Sequence, residues 1–347
     1  LSFFFFAMDW VDDTLHDYAA LDVFELPQAA GALAARDGLL VAASHAADCR
    51  HSELTVLPLP AGGTAVPDLH IACGGLGDAP FVAVAVVAAA PLLLVTANTA
   101  GAVEWWAAGA EDLLRVTATA TVPGVCAVLA LPDRPGVLLQ TPSAVLAWLA
   151  GEPAPRALLD GGPRGVCGAV VLDSGAALAA SGDGQVWAGD WRASDPWQPV
   201  ASVGAPATCS IAARDPTVWL LSASGFVREL DLRSGSHAAL EVQLHLGDDA
   251  LAACEAAHPP PQLRLHADPH SRRRLAVAGH AAGQEVAVFD LAPEHHLAPL
   301  CVHRGHAHEN AHVTAYLWHP TQANTLLSAD CATNLHLWSP AALCSTS

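Results

Sequence analysis

Short segments in which apolar residues alternate with small or polar residues recur along the whole chain. Seven copies of one such segment are Leu54–Leu57, Ala102–Trp106, Ala144–Trp148, Gln185–Asp190, Phe226–Asp231, Glu285–Asp290 and Leu335–Trp338. Successive copies are 41 to 59 residues apart. Because side chains along a strand point alternately to opposite faces, this alternation predicts half-buried β-strands. The spacing leaves room for several strands in each repeat, so the chain is predicted to be all-β.

The last repeat carries the most specific motif. It runs from His303-Arg304-Gly305-His306 through Trp318-His319-Pro320 and Thr325–Ala329 to Leu335–Trp338. A Gly-His pair followed 32 residues later by Trp338 resembles a blade of the WD40 family. One blade cannot bury its own faces, so the resemblance implies a ring of blades. The sequence therefore predicts a seven-bladed WD40-type β-propeller.

The predicted ring occupies residues 9–344 as a single domain, with blades at about 31–342. Residues 1–8 are expected to form a disordered leader. Residues 9–21 are predicted to form a helix, because Trp10, Val11, Leu15 and Tyr18 recur at roughly helical spacing. Residues 21–26 are predicted to be a strand that completes the last blade in a velcro closure and so removes its open edge.

WD40 blades commonly contain a buried hydrogen-bonded set of His, Asp, Ser or Thr, and Trp. The residues assigned to this structural motif are His306, Trp318, Ser328, Trp338, Ser181, Asp183, Asp231 and Asp290. In the last repeat Ala332 occupies the Asp position, and Asp330 lies two residues too early. In the fourth repeat Gly189 stands where Trp is expected. We therefore expect degenerate blades that are held together mainly by apolar packing.

The charge balance excludes several classes of function. The chain has 15 arginines, no lysine and 34 acidic residues, giving a net charge of −19. P-loop enzymes, protein kinases and Schiff-base enzymes each need a lysine and are excluded. Nucleic-acid binding needs a dense cationic surface, so no direct nucleic-acid contact is predicted. The apolar run Phe81–Val95 is interrupted by Pro91, so it is predicted to form two strands, without membrane association.

Cysteine and histidine patterns lead to no metal or cofactor prediction. Five cysteines follow one another at intervals of 41 to 47 residues, which is typical of a repeated small buried position: Cys126, Cys167, Cys209, Cys254 and Cys301. The densest histidine group is His303, His306, His308 and His312, and it is interpreted as blade and connector. Gly74-Gly75-Leu76-Gly77 departs from a dinucleotide fingerprint and is interpreted as a turn. No catalytic, cofactor-binding or metal-binding residue is predicted, and the chain is predicted not to be an enzyme.

The order of motifs also resembles the family of WD repeat-containing protein 73. The matching segments are Asp9-Trp10 with the following residues to Phe24, Gly74–Asp78 with Leu94-Val95-Thr96, and the last repeat from His303 to Trp338. Ser339 departs from the family, which has Asp after this Trp. The resemblance implies a non-catalytic adaptor that binds the endonuclease subunits of the Integrator complex, which processes snRNA. It implies a cytoplasmic location, with the nucleus and spindle poles as further places.

Three functions remain open from the sequence. The first is an assembly adaptor for protein partners, and the second is a cytoskeletal factor that binds tubulin in microtubules. The third is a propeller enzyme or small-molecule binder, which would need a pocket with convergent polar groups. The net charge of −19 disfavours tubulin, because the tubulin surface is itself acidic. The face of the ring that binds partners is not predicted.

Overall fold

The structure is a computed structural model of the full chain. It describes residues 17–44, 52–59, 70–109, 112–160, 165–193, 197–202, 208–233, 238–244, 263–279, 285–291, 296–306 and 311–344. The leader at 1–8, most of the predicted helix, Cys254 and His308 lie outside these ranges.

The described residues form seven β-sheets, which are the blades of a β-propeller, and consecutive strands within each blade pair antiparallel. The first strand, β1, spans Tyr18–Glu25. Blade 1 contains β2 (Ala30–Arg36), β3 (Leu39–Ser44), β4 (Ser52–Pro58) and β5 (Cys73–Gly77). Blade 2 contains β6 (Phe81–Ala89), β7 (Leu92–Asn98), β8 (Ala102–Ala108) and β9 (Leu114–Thr121). Blade 3 contains β10 (Ala127–Ala130), β11 (Gly136–Gln140), β12 (Ala144–Leu149) and β13 (Arg156–Asp160).

The remaining blades follow the same order. Blade 4 contains β14 (Gly168–Val171), β15 (Ala176–Ala180), β16 (Gln185–Asp190) and β17 (Gln198–Ser202). Blade 5 contains β18 (Thr208–Arg214), β19 (Thr217–Ser222), β20 (Phe226–Asp231) and β21 (Ala238–Leu244). Blade 6 contains β22 (Arg264–Ala267), β23 (Arg274–Ala278) and β24 (Val286–Asp290); β25 (His296–Leu297) then pairs with β21 of blade 5, and β26 (Cys301–His303) completes blade 6. Blade 7 contains β27 (Val313–Trp318), β28 (Leu326–Asp330), β29 (Asn334–Pro340) and β1, and helix α1 (Ala341–Cys344) follows.

The prediction of seven blades is confirmed, and each predicted segment falls on the third strand of its blade. These segments are not the last strands, because a fourth strand lies outside each of them. The apolar run Phe81–Val95 forms β6 and the start of β7, with Ala90 and Pro91 in the turn between them. Gly74 to Gly77 are not a turn but part of β5. Glycine fits this strand because a Cβ on Gly77 would clash with the Phe81 ring of the neighbouring blade, and a Cβ on Gly75 would lie 3.0 Å from the Cβ of Leu114.

Apolar clusters between neighbouring blades hold the ring together. Seven such clusters exist among the described residues, one for each pair of adjacent blades. The cluster between blades 7 and 1 joins Leu327 and Leu337 to Leu40 and Leu57. Each blade is too thin to bury both of its faces, so its stability depends on its two neighbours. The described part of the chain therefore forms one continuous ring.

The N-terminal region corrects one sequence prediction. The helix expected over 9–21 does not extend to Leu21, because Tyr18–Glu25 is a strand. This strand pairs antiparallel with β29, with Leu21 opposite Trp338 and Glu25 opposite Asn334. The free edge of β29 offers backbone hydrogen bonds that outweigh the helical spacing of the apolar side chains. No helix in the described part of the chain is long and apolar enough to cross a membrane.

Candidate functional site

Blade 7 contains a buried hydrogen-bonded chain of four side chains. His306 lies on the connection from blade 6, Ser328 and Asp330 on β28, and Trp338 on β29. Nδ1 of His306 lies 2.7 Å from a carboxylate oxygen of Asp330. Its Nε2 lies 2.8 Å from the Ser328 hydroxyl, which accepts a 3.1 Å hydrogen bond from the Trp338 indole. All four side chains are at most 1% exposed. Because the set ties the incoming connection to both strands, it fixes the position of blade 7 against blade 6.

Asp330 corrects the expectation of an incomplete set in this blade. Its position relative to Ser328 is decisive, because residues two apart on a strand point to the same face. The carboxylate of Asp330 therefore reaches His306 directly, and Ala332 is not needed. Asp330 also accepts hydrogen bonds from the backbone of Ala332 and Asn334 and from the Asn334 side chain. With His306, four donors meet this one carboxylate, which makes it the central acceptor of the turn between β28 and β29.

Two further histidines and a tyrosine extend the buried chain. The Tyr18 hydroxyl lies 2.8 Å from Nδ1 of His303, and Nε2 of His303 lies 2.8 Å from Nδ1 of His336. With Tyr18 donating to His303, His303 donates in turn to His336. The His303 ring stacks on Trp338 at 4.5 Å, and the His306 ring stacks on His336 at 4.0 Å. This aromatic group joins β1, β26 and β29, so it connects residues 285 positions apart in the sequence.

Gly305 explains why the motif preceding His306 contains glycine. A Cβ at this position would lie 2.7 Å from Cε1 of His303 and 2.8 Å from Cε1 of His336. Both rings are held by stacking and hydrogen bonds, so neither can move away at low cost. The Gly-His pair is therefore required by the packing of three imidazole rings. We name Tyr18, His303, His306, His336 and Trp338 the aromatic junction.

Burial controls the protonation of the aromatic junction. Desolvation lowers the pKa of His303 well below its usual range, and the neighbouring His306 and His336 lower it further. Burial likewise lowers the pKa of His336 to about 3. Burial alone would raise the pKa of Asp330, but hydrogen bonds from His306 and Asn334 outweigh it, so the pKa is lowered. At neutral pH the junction therefore contains neutral His303 and His336 beside an ionised Asp330.

The three histidines are close enough to suggest a metal site, since one nitrogen from each lies within 4.8 Å of the others. Their orientation does not favour one. The lone pairs of an imidazole lie in its ring plane, and His306 and His336 are nearly parallel at 16°. Both nitrogens of His306 are also already hydrogen-bonded. The predicted histidine group is brought together only in part, because His312 instead contacts the Cys331 thiol at 3.3 Å.

The remaining predicted motif residues have separate local roles. Trp318 ends β27 and donates through its indole to the His266 carbonyl at 3.1 Å. Ser181 donates to Asp183 in the turn of blade 4, in a short hydrogen bond. Asp231 pairs with Arg233 at 2.8 Å, and Asp290 pairs with Arg273 at 3.1 Å. The hydrogen bond from Arg233 lowers the pKa of Asp231 to about 2. These residues do not join the aromatic junction.

A second Trp–hydroxyl pair in blade 2 was missed by the sequence reasoning. The Trp106 indole donates to the Thr96 hydroxyl at 2.9 Å, and both residues are buried. Thr96 and Trp106 are separated by ten residues, as are Ser328 and Trp338. A Ser or Thr that precedes a Trp by ten residues is therefore the sequence signal that predicts this pair.

The cysteine periodicity has a structural meaning only in part. Cys126, Cys167 and Cys209 lie at equivalent positions, where each thiol donates to a carbonyl of the second strand in its own blade. They are not fully buried and line the central channel. Cys301 does not belong to this set, because it lies on β26 at the outside of blade 6. The intervals of 41 and 42 residues between Cys126, Cys167 and Cys209 therefore reflect one repeated position, whereas the interval that ends at Cys301 does not.

No protein-family model matches the chain, and no curated protein matches it.

Proposed function

We propose that this chain is a WD40-type propeller that acts as a non-catalytic scaffold for protein partners. The supporting observation is the hydrogen-bonded chain of His306, Asp330, Ser328 and Trp338, which matches the polar set of WD40 blades. These four hydrogen-bonded side chains stabilise the ring and are buried, so they do not offer a reactive group to a substrate. Propellers generally serve as protein-interaction scaffolds, with the turns on their faces available for contacts.

The proposed client is the endonuclease module of the Integrator complex, in snRNA processing and outside chromatin. This client follows from the resemblance to the family of WD repeat-containing protein 73. A net charge of −19 supports binding to a basic surface, such as one that otherwise holds RNA. In this role the ring keeps the nuclease from premature contact with its substrate. We propose a cytoplasmic location for this assembly.

A pull-down with purified endonuclease subunits tests the client. We expect a complex at low salt that weakens at high salt, because screening reduces attraction between charged surfaces. An unrelated propeller of similar net charge is the control for non-specific attraction. Absence of a complex at both salt concentrations overturns the proposed client. Equal binding by the control propeller also overturns it, because the binding then results from net charge alone.

The alternative function is a cytoskeletal factor that binds tubulin, with spindle poles as its location. Only the family resemblance supports it, and repulsion between two acidic surfaces opposes it. Co-sedimentation with microtubules at physiological salt decides between the two. Pelleting of the purified ring with microtubules would favour the cytoskeletal role, whereas a ring that stays in the supernatant leaves the adaptor role in place.

A further inference from the structure

The central channel of the ring contains a pocket with the dimensions of a ligand site. Residues of β10, β14, β18, β22 and β27, the first strands of blades 3 to 7, line one pocket in the channel, which has a volume of about 630 Å³. Pockets that bind small molecules typically measure about 300–1,000 Å³ and combine apolar walls with a few polar groups. Its lining includes the apolar residues Leu129, Val170, Ile211 and Leu265, of which Ile211 and Leu265 are almost fully buried between blades. The pocket is therefore large enough for a small molecule with an apolar body.

Arg264 is the single charged residue among the described residues that line this pocket. It begins β22 and is exposed, and one guanidinium nitrogen donates to the Thr314 carbonyl at 3.1 Å. In the described part of the chain it forms no ion pair with a carboxylate. By contrast, Arg192, Arg228, Arg233, Arg273 and Arg304 each pair with an acidic side chain. Arg264 thus has donors free for an anion.

The charge of Arg264 acts across the channel. Burial raises the pKa of the Cys126 thiol in blade 3, and the positive charge of Arg264 in blade 6 partly opposes that rise. Burial and the same charge lower the pKa of His266 to about 4, so this histidine is neutral. The Cys167 thiol is protonated as well, since burial raises its pKa to about 12. No other lining residue among those described neutralises the field of Arg264.

Two uncharged polar side chains supplement Arg264. The Gln140 side chain accepts a 3.1 Å hydrogen bond from the Ala169 backbone through its oxygen, which leaves its amide nitrogen as a donor. The Ser210 hydroxyl accepts a 3.1 Å hydrogen bond from the Leu265 backbone and retains its own proton to donate. Both residues line the pocket. The pocket therefore combines one cation and neutral donors with apolar walls, in a protein that is otherwise strongly acidic.

We propose that the channel pocket binds a small carboxylate with an apolar body, with its carboxylate on Arg264. A carboxylate accepts the charge-assisted hydrogen bonds that a guanidinium donates, and apolar walls accommodate the rest of the molecule. A cationic ligand is excluded by repulsion from Arg264. This site lies inside the ring, so it does not depend on the protein client proposed above, and loss of either leaves the other unaffected.

Isothermal titration with hexanoate, octanoate and decanoate, kept below micelle concentrations, tests the site. We expect the wild-type chain to bind them, with 1-octanol binding more weakly than octanoate because it lacks the charge. Arg264→Gln should weaken octanoate binding about tenfold or more, since it removes a charged hydrogen-bonding partner. It should leave octanol binding unchanged.

Two further variants make the result specific. Arg115→Gln on the outer strand β9 removes the same charge away from the channel and should leave binding unchanged. Cys126→Phe places a ring at the pocket wall and should weaken octanoate and octanol together. Melting temperatures confirm that each variant is folded. Equal octanoate affinity of wild type and Arg264→Gln, or no binding by folded wild type at millimolar concentrations, overturns the proposal.

Discussion

Replacing Asp330 by alanine tests the polar chain of blade 7 directly. The substitution removes the acceptor of the His306 Nδ1–H bond, which measures 2.7 Å, in a site with no exposure to solvent. It also frees the backbone N–H groups of Ala332 and Asn334 and the Asn334 side chain. An unsatisfied buried donor costs about 1–3 kcal/mol, and the turn donors can be rehydrated in part. We expect Asp330→Ala to lower the free energy of unfolding by about 3–5 kcal/mol, which is the range for breaking a buried pair.

Asp330→Asn separates the charge from the hydrogen bonds. The asparagine oxygen can still accept from the backbone of Ala332 and Asn334, so the turn is retained. Its amide nitrogen faces His306, which must change tautomer and then donates to Ser328 through Nε2. The Ser328 hydroxyl loses its acceptor as a result, and the Asn334 side chain loses its partner. We therefore expect a smaller loss, about 1–3 kcal/mol.

Urea unfolding followed by tryptophan fluorescence measures these losses. The matched control is Asp231→Ala, because Asp231 pairs with Arg233 at the surface and should leave the unfolding midpoint almost unchanged. Losses of the expected size are large against a typical total of about 5–15 kcal/mol. If Asp330→Ala unfolds at the same urea concentration as wild type, Asp330 does not support the blade, and the assignment of the polar chain is wrong.

Three further perturbations act on the same junction and its strands. Acid should destabilise the ring from about pH 6.5 downwards, because His303 and His336 have lowered pKa values in the folded state and stay neutral there. Each histidine then lowers the free energy of unfolding by up to about 1.4 kcal/mol per pH unit, until its folded pKa is reached. Unfolding measured between pH 7 and pH 5 checks this, and a flat profile contradicts it. Trp338→Ala removes a fully buried indole and should cost about 3–5 kcal/mol, so soluble yield should fall before any partner is lost selectively. Deleting residues 9–27 removes β1 and exposes β29, so an unchanged melting temperature would contradict the role of β1 in closing blade 7.

The aromatic junction shows how far sequence patterns reach. His306, Ser328 and Trp338 could be assigned from the motif, because their spacing is set by strand lengths within one blade. Asp330 and His336 were recoverable in principle. Ser328 pairs with His336, and cross-strand partners share a face, so period-two alternation places all of these side chains on one side of the sheet. Asp330 was therefore missed because Asp was expected at one fixed position before Trp338, whereas an acidic residue at another position on the same face of the sheet can reach His306.

The sequence by itself determined that the chain is all-β and that it has seven blades, because the alternation of apolar residues depends only on which face of a local sheet is buried. It also determined the absence of lysine chemistry. Only the tertiary structure decided which residues meet across the ring. Tyr18 reaches His303 over 285 positions, and the Trp318 indole of blade 7 donates to the His266 carbonyl of blade 6. Neither contact has a local signal, because blade packing sets both, and each apolar cluster is shared between two blades. The N-terminal segment forms a strand and not a helix for the same reason, because the open edge of β29, with which it pairs, lies at the other end of the chain.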